Sequence, residues 1–408
     1  MFQINRLSLV FAFIVLLSIW MVPIGPAIAA DPQPGDVINS ANIDQYNDYF
    51  PEIMQRFIKD GWGIVSPAVI HVKGKTNVDV PSTYTEATKQ NAGKTTLNPD
   101  GTIQGFIAGQ PFPDPQEPNK AIKIMWNHYY RWRSDGYSYD DGYWYTQQRK
   151  GGPISSYLTQ IDMLFYAHRT AVDPKPTLPN NQNLYSALLL NSRTPPNKDM
   201  ATLAWRYDDP TKNDDMWTYI PTLRRTLRLV SSERANPVRG TPFTWDDFYG
   251  FDGRLNEWKP TLIAEKKMLA LMAQQTKCVP GTKYEKGYPH PVVNGPDDPY
   301  EVRNFFVVDV VPVNPRHPES RKTLFIEDFV YHVIYAHVYD KQGNLWKGCV
   351  NAVINYATAQ KQPAWTQCSS SLTDLKNNFW SNNLLWTITA DAPMDKERFT
   401  PAALGTNF

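Results

Sequence analysis

Cysteine and histidine are scarce in this 408-residue chain, with 3 and 7 residues respectively. No two cysteines form a Cys-x-x-Cys pair, and no Cys/His set has zinc-site spacing, so no metal is expected and the scaffold is not built on disulfides. Cys349 and Cys368 close the shorter loop and could pair in an oxidising compartment, leaving Cys278 free; three unpaired thiols are an equal alternative. Excess charge of one sign is also lacking, since 41 Lys and Arg face 40 Asp and Glu. That balance removes the electrostatic reason to expect nucleic acid or an anionic membrane as main partner. There is no GxSxG elbow, HExxH pair, Walker loop or Rossmann glycine pattern, and no cofactor is expected. Beyond the first 30 residues, no apolar run approaches the length of a membrane span.

Aromatics and proline are abundant instead: 18 Phe, 13 Trp and 22 Tyr make 13% of the chain, beside 34 Pro. Such a composition favours short strands, turns and apolar walls over a helical bundle. The N-terminus places Arg6 before an apolar run over 7–22, then a Pro-Ile-Gly-Pro break and small residues ending at Ala29 or Ala30. This is the layout of a cleaved signal peptide (1–30) and predicts an exported chain. An uncleaved anchor is the alternative, because the run almost spans a bilayer.

The mature chain divides into an N-terminal part (31–180), with a helix and an aromatic hairpin, and an antiparallel β-rich part (181–408), read as one continuous fold. A helix is expected over 39–59, capped by Ser40 or Asn42 and split by Pro51. The Tyr- and Trp-rich tract over 127–150 carries Asp135-Gly136 and Asp141-Gly142, both hairpin signals. A strand is expected over 158–169. The stretch 262–271, LIAEKKMLAL, is helical by composition. Long stretches of antiparallel sheet are expected over 301–313, 322–340 and 345–358, joined by turn-like connectors into a meander that curls toward a barrel or half-barrel. The expected class is α+β.

The segment 216–234, MWTYIPTLRRTLRLVSSER, alternates apolar and polar residues. Pro221 cannot sit within a ladder, so a turn at 221–224 makes it a hairpin. Counted by parity, Trp217, Tyr219, Leu223, Leu227 and Leu229 share one face with Arg225, while Arg224 and Arg228 lie on the other. The first face is expected to form the inner wall of a curved sheet. FFVVDVVPV is apolar at both parities, so both faces of that strand must be covered, and Phe306 and Val308 join the candidate apolar wall.

MWTYIPTLRRTLRLVSSER followed by GTPFTWDDFYGFDGRL resembles periplasmic proteins related to the lipoprotein-sorting (Lol-type) carriers. PGDVINSANIDQY, DGTIQGFIAGQPFP and SRKTLFIEDFVYHVIYAHVYDKQGNLWKG resemble one branch of that superfamily, known as a domain of unknown function. The resemblance covers roughly 35–347. It implies a large curved antiparallel sheet, an open half-barrel with covering helices and a loop-rich N-terminal region. It also implies an apolar cavity for acyl chains or other hydrophobic cargo, and an inner-membrane transporter of the resistance-nodulation-division type as partner. No catalytic residue is carried over, and the signature arginine of the smaller sorting carriers has no counterpart here.

Residues with chemical potential read as structural. His332 and His337, five apart, would point to opposite faces of a strand and share no metal. Asp246-Asp247 and Glu327-Asp328 are adjacent carboxylates, which diverge on a strand and are solvated on a turn. Arg224, Arg225 and Arg228 could meet phosphate headgroups, and the aromatic tract could stack on sugars or sterol-like rings. The reading is a non-enzymatic periplasmic carrier of a lipid, lipoprotein acyl chain or other apolar small molecule. Its alternatives are an envelope hydrolase of lipid or glycan and a non-binding adaptor of a transporter complex. A polar cluster inside the cavity would favour the hydrolase; a filled core would favour the adaptor.

Overall fold

The computed structural model describes residues 31–61, 68–195, 197–230, 234–272 and 299–406. The expected signal segment, Cys278 and residues 231–233 lie outside the described residues. The first elements are β1 (Val37–Ile38), α1 (Glu52–Asp60), β2 (Ile70–Val72), α2 (Ser82–Asn91), β3 (Thr96–Leu97), β4 (Ile103–Gln104) and α3 (Lys120–Tyr129). The strands β5 (Gly136–Gln148), β6 (Pro153–Phe165), β7 (Leu184–Ser192), β8 (Ala201–Tyr207), β9 (Asp215–Ile220) and β10 (Arg225–Leu229) follow as a meander. The chain continues through β11 (Trp258–Leu271), β12 (Pro299–Pro312), β13 (Arg321–Glu327) and β14 (Val333–Tyr339) to β15 (Leu345–Ala357), β16 (Pro363–Asp374) and β17 (Phe379–Ala390).

All strands except β3 and β4 join one 15-stranded sheet in which β17 pairs with β5. Pairing is antiparallel except where β2 runs parallel to the start of β12. Strands from both parts of the sequence thus share one sheet. The path ends at β10, and β11 flanks β12. Register divides the core between the faces. On one, here called the inner face, Phe306 pairs with Ile326, Ala336 with Cys349, Asn383 with Trp144, and Met163 with Leu188. Trp126 and Ile124 of α3 pack into the same cluster as these side chains. The outer face is covered at one end by Ile53, Phe57 and Ile58 of α1, and at the other by Phe399 and Leu404 of the C-terminal turns.

Local chemistry explains where the elements fall, including four departures from expectation. The helix expected over 39–59 begins only at Glu52, because Pro51 holds Phe50 extended; two short 3-10 turns precede it. Gly61 then ends α1 in the left-handed conformation, its N–H reaching Phe57 O. Asp135-Gly136 opens β5 instead of turning it, and Asp141-Gly142 sits at a bulge within the strand. There a Cβ on Gly142 would meet Thr159 Oγ1 at 2.9 Å, so glycine serves close strand approach here. LIAEKKMLAL is strand, not helix: its backbone pairs with β12 from Trp258 to Leu271, and that pairing overrides helix propensity. Finally, 322–340 is two strands. The Glu327 carboxylate accepts the Phe329 and Val330 N–H groups and closes the turn between them.

Cys349 and Cys368 are both buried and are not joined to each other, with Cys349 standing opposite Leu372. The odd face count of 216–234 is also corrected. Ile220 pairs with Arg225, so odd-numbered residues of β9 face even-numbered residues of β10. Trp217 therefore shares its face with Arg228, and Tyr219 with Thr226. Leu227 and Leu229 share the opposite face with Thr218 and Met216. Parity counted straight through the turn fails because the four-residue loop inverts it.

Candidate functional site

The seven residues expected to form one apolar wall are therefore placed apart. Trp217 and Tyr219 lie on the outer face, half-buried under the C-terminal turns, with Trp217 packed edge-on to Trp205 at 4.9 Å. Leu227 and Leu229 point to the inner side from an edge strand, where Leu227 is 42% exposed, and Leu223 is exposed in the turn. Phe306 and Val308 lie on the inner face at the far end of the sheet. Val308 is fully buried core, while Phe306 stacks on Tyr331 at 6.0 Å with Lys120 Nζ 5.4 Å from its ring centre. Arg224 and Arg225 are exposed, and Arg228 pairs with Asp215.

What the fold gathers instead lies around α3. A groove of about 400 Å³ runs between α3, the β3–β4 hairpin and the start of β11. Leu97, Ile122, Trp126, Leu255, Trp258 and Val313 line it, interspersed with polar groups such as Asn98 and Lys259. Trp126 is anchored there by its indole N–H, which donates to Gly101 O at 2.9 Å. Such a groove offers apolar contact with polar groups at its rim.

At the C-terminal end of α3 the chain runs Tyr-Arg-Trp-Arg over 130–133 and enters a second, buried region. Here Arg131, Trp132 and Arg133 border a small chamber of about 20 Å³ walled by Tyr137, Tyr139, Tyr249, Tyr356, Trp365 and His332. Its own aromatic walls narrow it, so it admits a small polar group but not a whole acyl chain. A second cavity of about 30 Å³, toward Phe106 and Asp135, and a third of about 30 Å³, toward Arg206 and Asp252, share Arg133 with it.

The third cavity is bounded by a buried ionic cluster. Asp214 receives Arg206 at 2.9 Å, Arg234 at 2.7 Å and Arg254 at 2.8 Å. Burial alone would raise the Asp214 carboxyl, but the three guanidiniums hold it well below the usual carboxylate range. Asp252 joins the cluster through Arg206 at 3.0 Å and Arg133 at 3.6 Å, and Asp246 through Arg234 at 2.7 Å. Asp247 caps Thr244 and pairs with Lys322, so this adjacent carboxylate pair is buried and ion-paired, not solvated on a turn. Both acids are structural, holding separate basic partners. His332 and His337 are both buried, His332 on the chamber wall and His337 against α1, where Ile53 N–H donates to its Nε2 at 3.3 Å. No group of three metal-ligating side chains occurs among the described residues.

Arg131 stands outside this pairing. It is 5% exposed, and its Nη1 donates to His128 O at 2.6 Å. Burial, with Arg133 beside it, pushes its guanidinium down to about 9. Sequence reasoning weighed the aromatics of the 127–150 tract and passed over its arginines. The available signal was Arg131 and Arg133 alternating with Tyr130 and Trp132, an unusual place for cations.

Residues 37–405 match the family model described as Protein of unknown function (DUF1329). The chain is 23% identical over 323 residues to the uncharacterized protein PA3922 of Pseudomonas aeruginosa, covering 78% of this chain and 69% of that one. In structure it is similar to a domain from Vibrio parahaemolyticus named for outer membrane lipoprotein sorting. That likeness has a TM-score of 0.50 at 15% identity and covers 70% of this chain and 98% of the other. A DUF1329 family protein from Desulfovibrio piger superposes with a TM-score of 0.47 at 13% identity, over 67% and 92% of the two chains. The expected fold holds: a mostly-sheet chain with few helices, its large curved antiparallel sheet open and not closed into a barrel.

Proposed function

We propose that this chain, which belongs to the DUF1329 family, is a non-enzymatic periplasmic carrier that holds the apolar part of a lipid or similar molecule against the elements around α3. One observation carries the reading: the groove of about 400 Å³ beside α3, bordered by Trp126, Trp258, Ile122 and Leu255. Burying an acyl chain there yields about 0.8 kcal/mol per methylene, so useful affinity needs shape and apolar area but no fixed polar constellation. The likeness in fold to a lipoprotein-sorting domain agrees with such a role. The signal-like N-terminus supports delivery to the periplasm. On this reading the delivery partner is an inner-membrane transporter of the resistance-nodulation-division type.

The test uses the mature protein and the neutral apolar probe N-phenyl-1-naphthylamine, excited by energy transfer from tryptophan. Saturable uptake is expected, weakened about tenfold by Ile122→Asp, which places a charge in the groove at a half-buried position. Absence of saturable uptake by the wild-type protein sinks the carrier reading.

A further inference from the structure

We infer that the chamber beside Arg131 receives the carboxylate of an amphiphilic cargo whose apolar body lies outside the chamber. The inference rests on the carrier reading and adds a headgroup class to it. Three observations support it. First, Arg131 Nε and Nη2 are buried and make no hydrogen bond, while Nη1 is spent on His128 O. These two N–H groups lie along one side of the planar guanidinium, the edge that grips a carboxylate with two parallel hydrogen bonds.

Second, the other unpartnered buried atoms on the same wall are mostly donors. Trp132 Nε1, Trp365 Nε1, Arg133 Nε and one N–H of the neutral His332 ring have no acceptor, against two unfilled acceptors, Gln367 Oε1 and the other His332 nitrogen. Indole and guanidinium N–H groups donate only, so the missing partner is rich in acceptor oxygens. Burying donors without acceptors is costly, and so many around one cavity mark it as built for an occupant.

Third, Arg131 is left without an ion pair while the acids of the third cavity are already taken. Asp214, Asp246 and Asp252 are engaged by Arg206, Arg234, Arg254 and Arg133, and Arg131 has no ion pair among the described residues. Beyond its hydrogen bond to His128 O, its cation lies 5.3 Å from the centre of the Tyr249 ring. One uncommitted cation with a planar two-pronged edge, in a narrow aromatic chamber, matches a single planar monoanion better than a tetrahedral dianion. A carboxylate on an apolar body meets all of these terms.

The experiment compares decanoate with 1-decanol, which share a chain and differ in the headgroup, by calorimetric titration of the mature wild-type protein. Decanoate is expected to bind at least about tenfold more tightly. The carboxyl carbon of [1-13C]decanoate, followed by NMR, is expected to titrate about one pH unit lower when bound than when free. Arg131→Gln is expected to bring the decanoate-to-decanol ratio close to one. Equal binding of the two probes by the wild-type protein overturns the inference, and leaves ordered water as the occupant of the chamber. Competition by inorganic phosphate at concentrations comparable to decanoate also overturns it, showing a general anion site. If the neutral naphthylamine probe still binds in either case, the carrier reading stands and only the headgroup assignment falls. If that probe fails as well, both fall.

Discussion

Asp391 follows β17, its Oδ1 accepting the Asp135 backbone N–H at 2.7 Å. It is 1% exposed, and burial, reinforced by the charge of Asp135, pushes its carboxyl up to about 7 despite that hydrogen bond and nearby Arg169. Asp214 is as deeply buried but shifted the other way, because three guanidiniums surround it. The sign of the stability effect follows from the direction. A carboxyl whose folded pKa lies above the unfolded value of about 3.9 binds its proton more tightly when folded. Its contribution is therefore full below pH 4 and is lost as pH rises to about 7. Asp391→Asn keeps the acceptor and removes the charge. Its urea unfolding free energy relative to wild type should rise by roughly 2–3 kcal/mol between pH 5 and pH 8. A pH-independent difference would show that Asp391 titrates normally. None of this was legible in the sequence, where Asp391, Asp214 and Asp252 are ordinary polar residues; only the fold brings Arg206, Arg234 and Arg254 around one of them.

Gly348 in β15 shows how elements are seated. It faces α1, and a Cβ added there would overlap the Ile53 side chain, so the missing side chain lets the helix lie directly on the sheet. Gly348→Ala is expected to destabilise by about 1–3 kcal/mol through overpacking. Combining it with Ile53→Ala should cost less than the sum of the two single changes, because Ile53 is the group that the new methyl meets. Additive unfolding free energies in that cycle would mean that the helix does not sit as described. Element-level legibility followed the same division between local and non-local causes. The hairpin at 221–224, the end of α1 and the long strands of the C-terminal half were readable because Pro, Gly and alternating apolar residues act locally. The strand β11, the continuation of β5 through Asp141-Gly142 and the facing of Trp217 against Leu227 depend on partners distant in sequence or on loop geometry.

At the scale of the whole molecule, one sheet has two differently guarded faces. The outer face relies on segments near the two ends of the described chain, α1 and the turns carrying Phe399 and Leu404. Trp205 is tied to the second of these by its indole N–H, which donates to Phe399 O at 2.7 Å. Truncation after Asp395 should uncover Trp205, Trp217 and Tyr219, red-shift tryptophan emission and promote self-association, as followed by fluorescence and light scattering. An unchanged emission maximum would place those rings in water already. The groove lies beside α3 on the inner face, whereas Trp132 and Trp365 of the Arg131 chamber pack into the same cluster as α1.

The pairing of β5 with β17 has a consequence in time as well as in space. Tyr137 finds its partner Ala390 only after nearly all of the chain has been made, and until then both halves of the sheet carry a bare edge at what becomes the middle. Folding dominated by such distant contacts is slow, and a nascent chain stays open while it waits for its last strand. The closing of the seam between β5 and β17 is therefore the late event that completes the sheet.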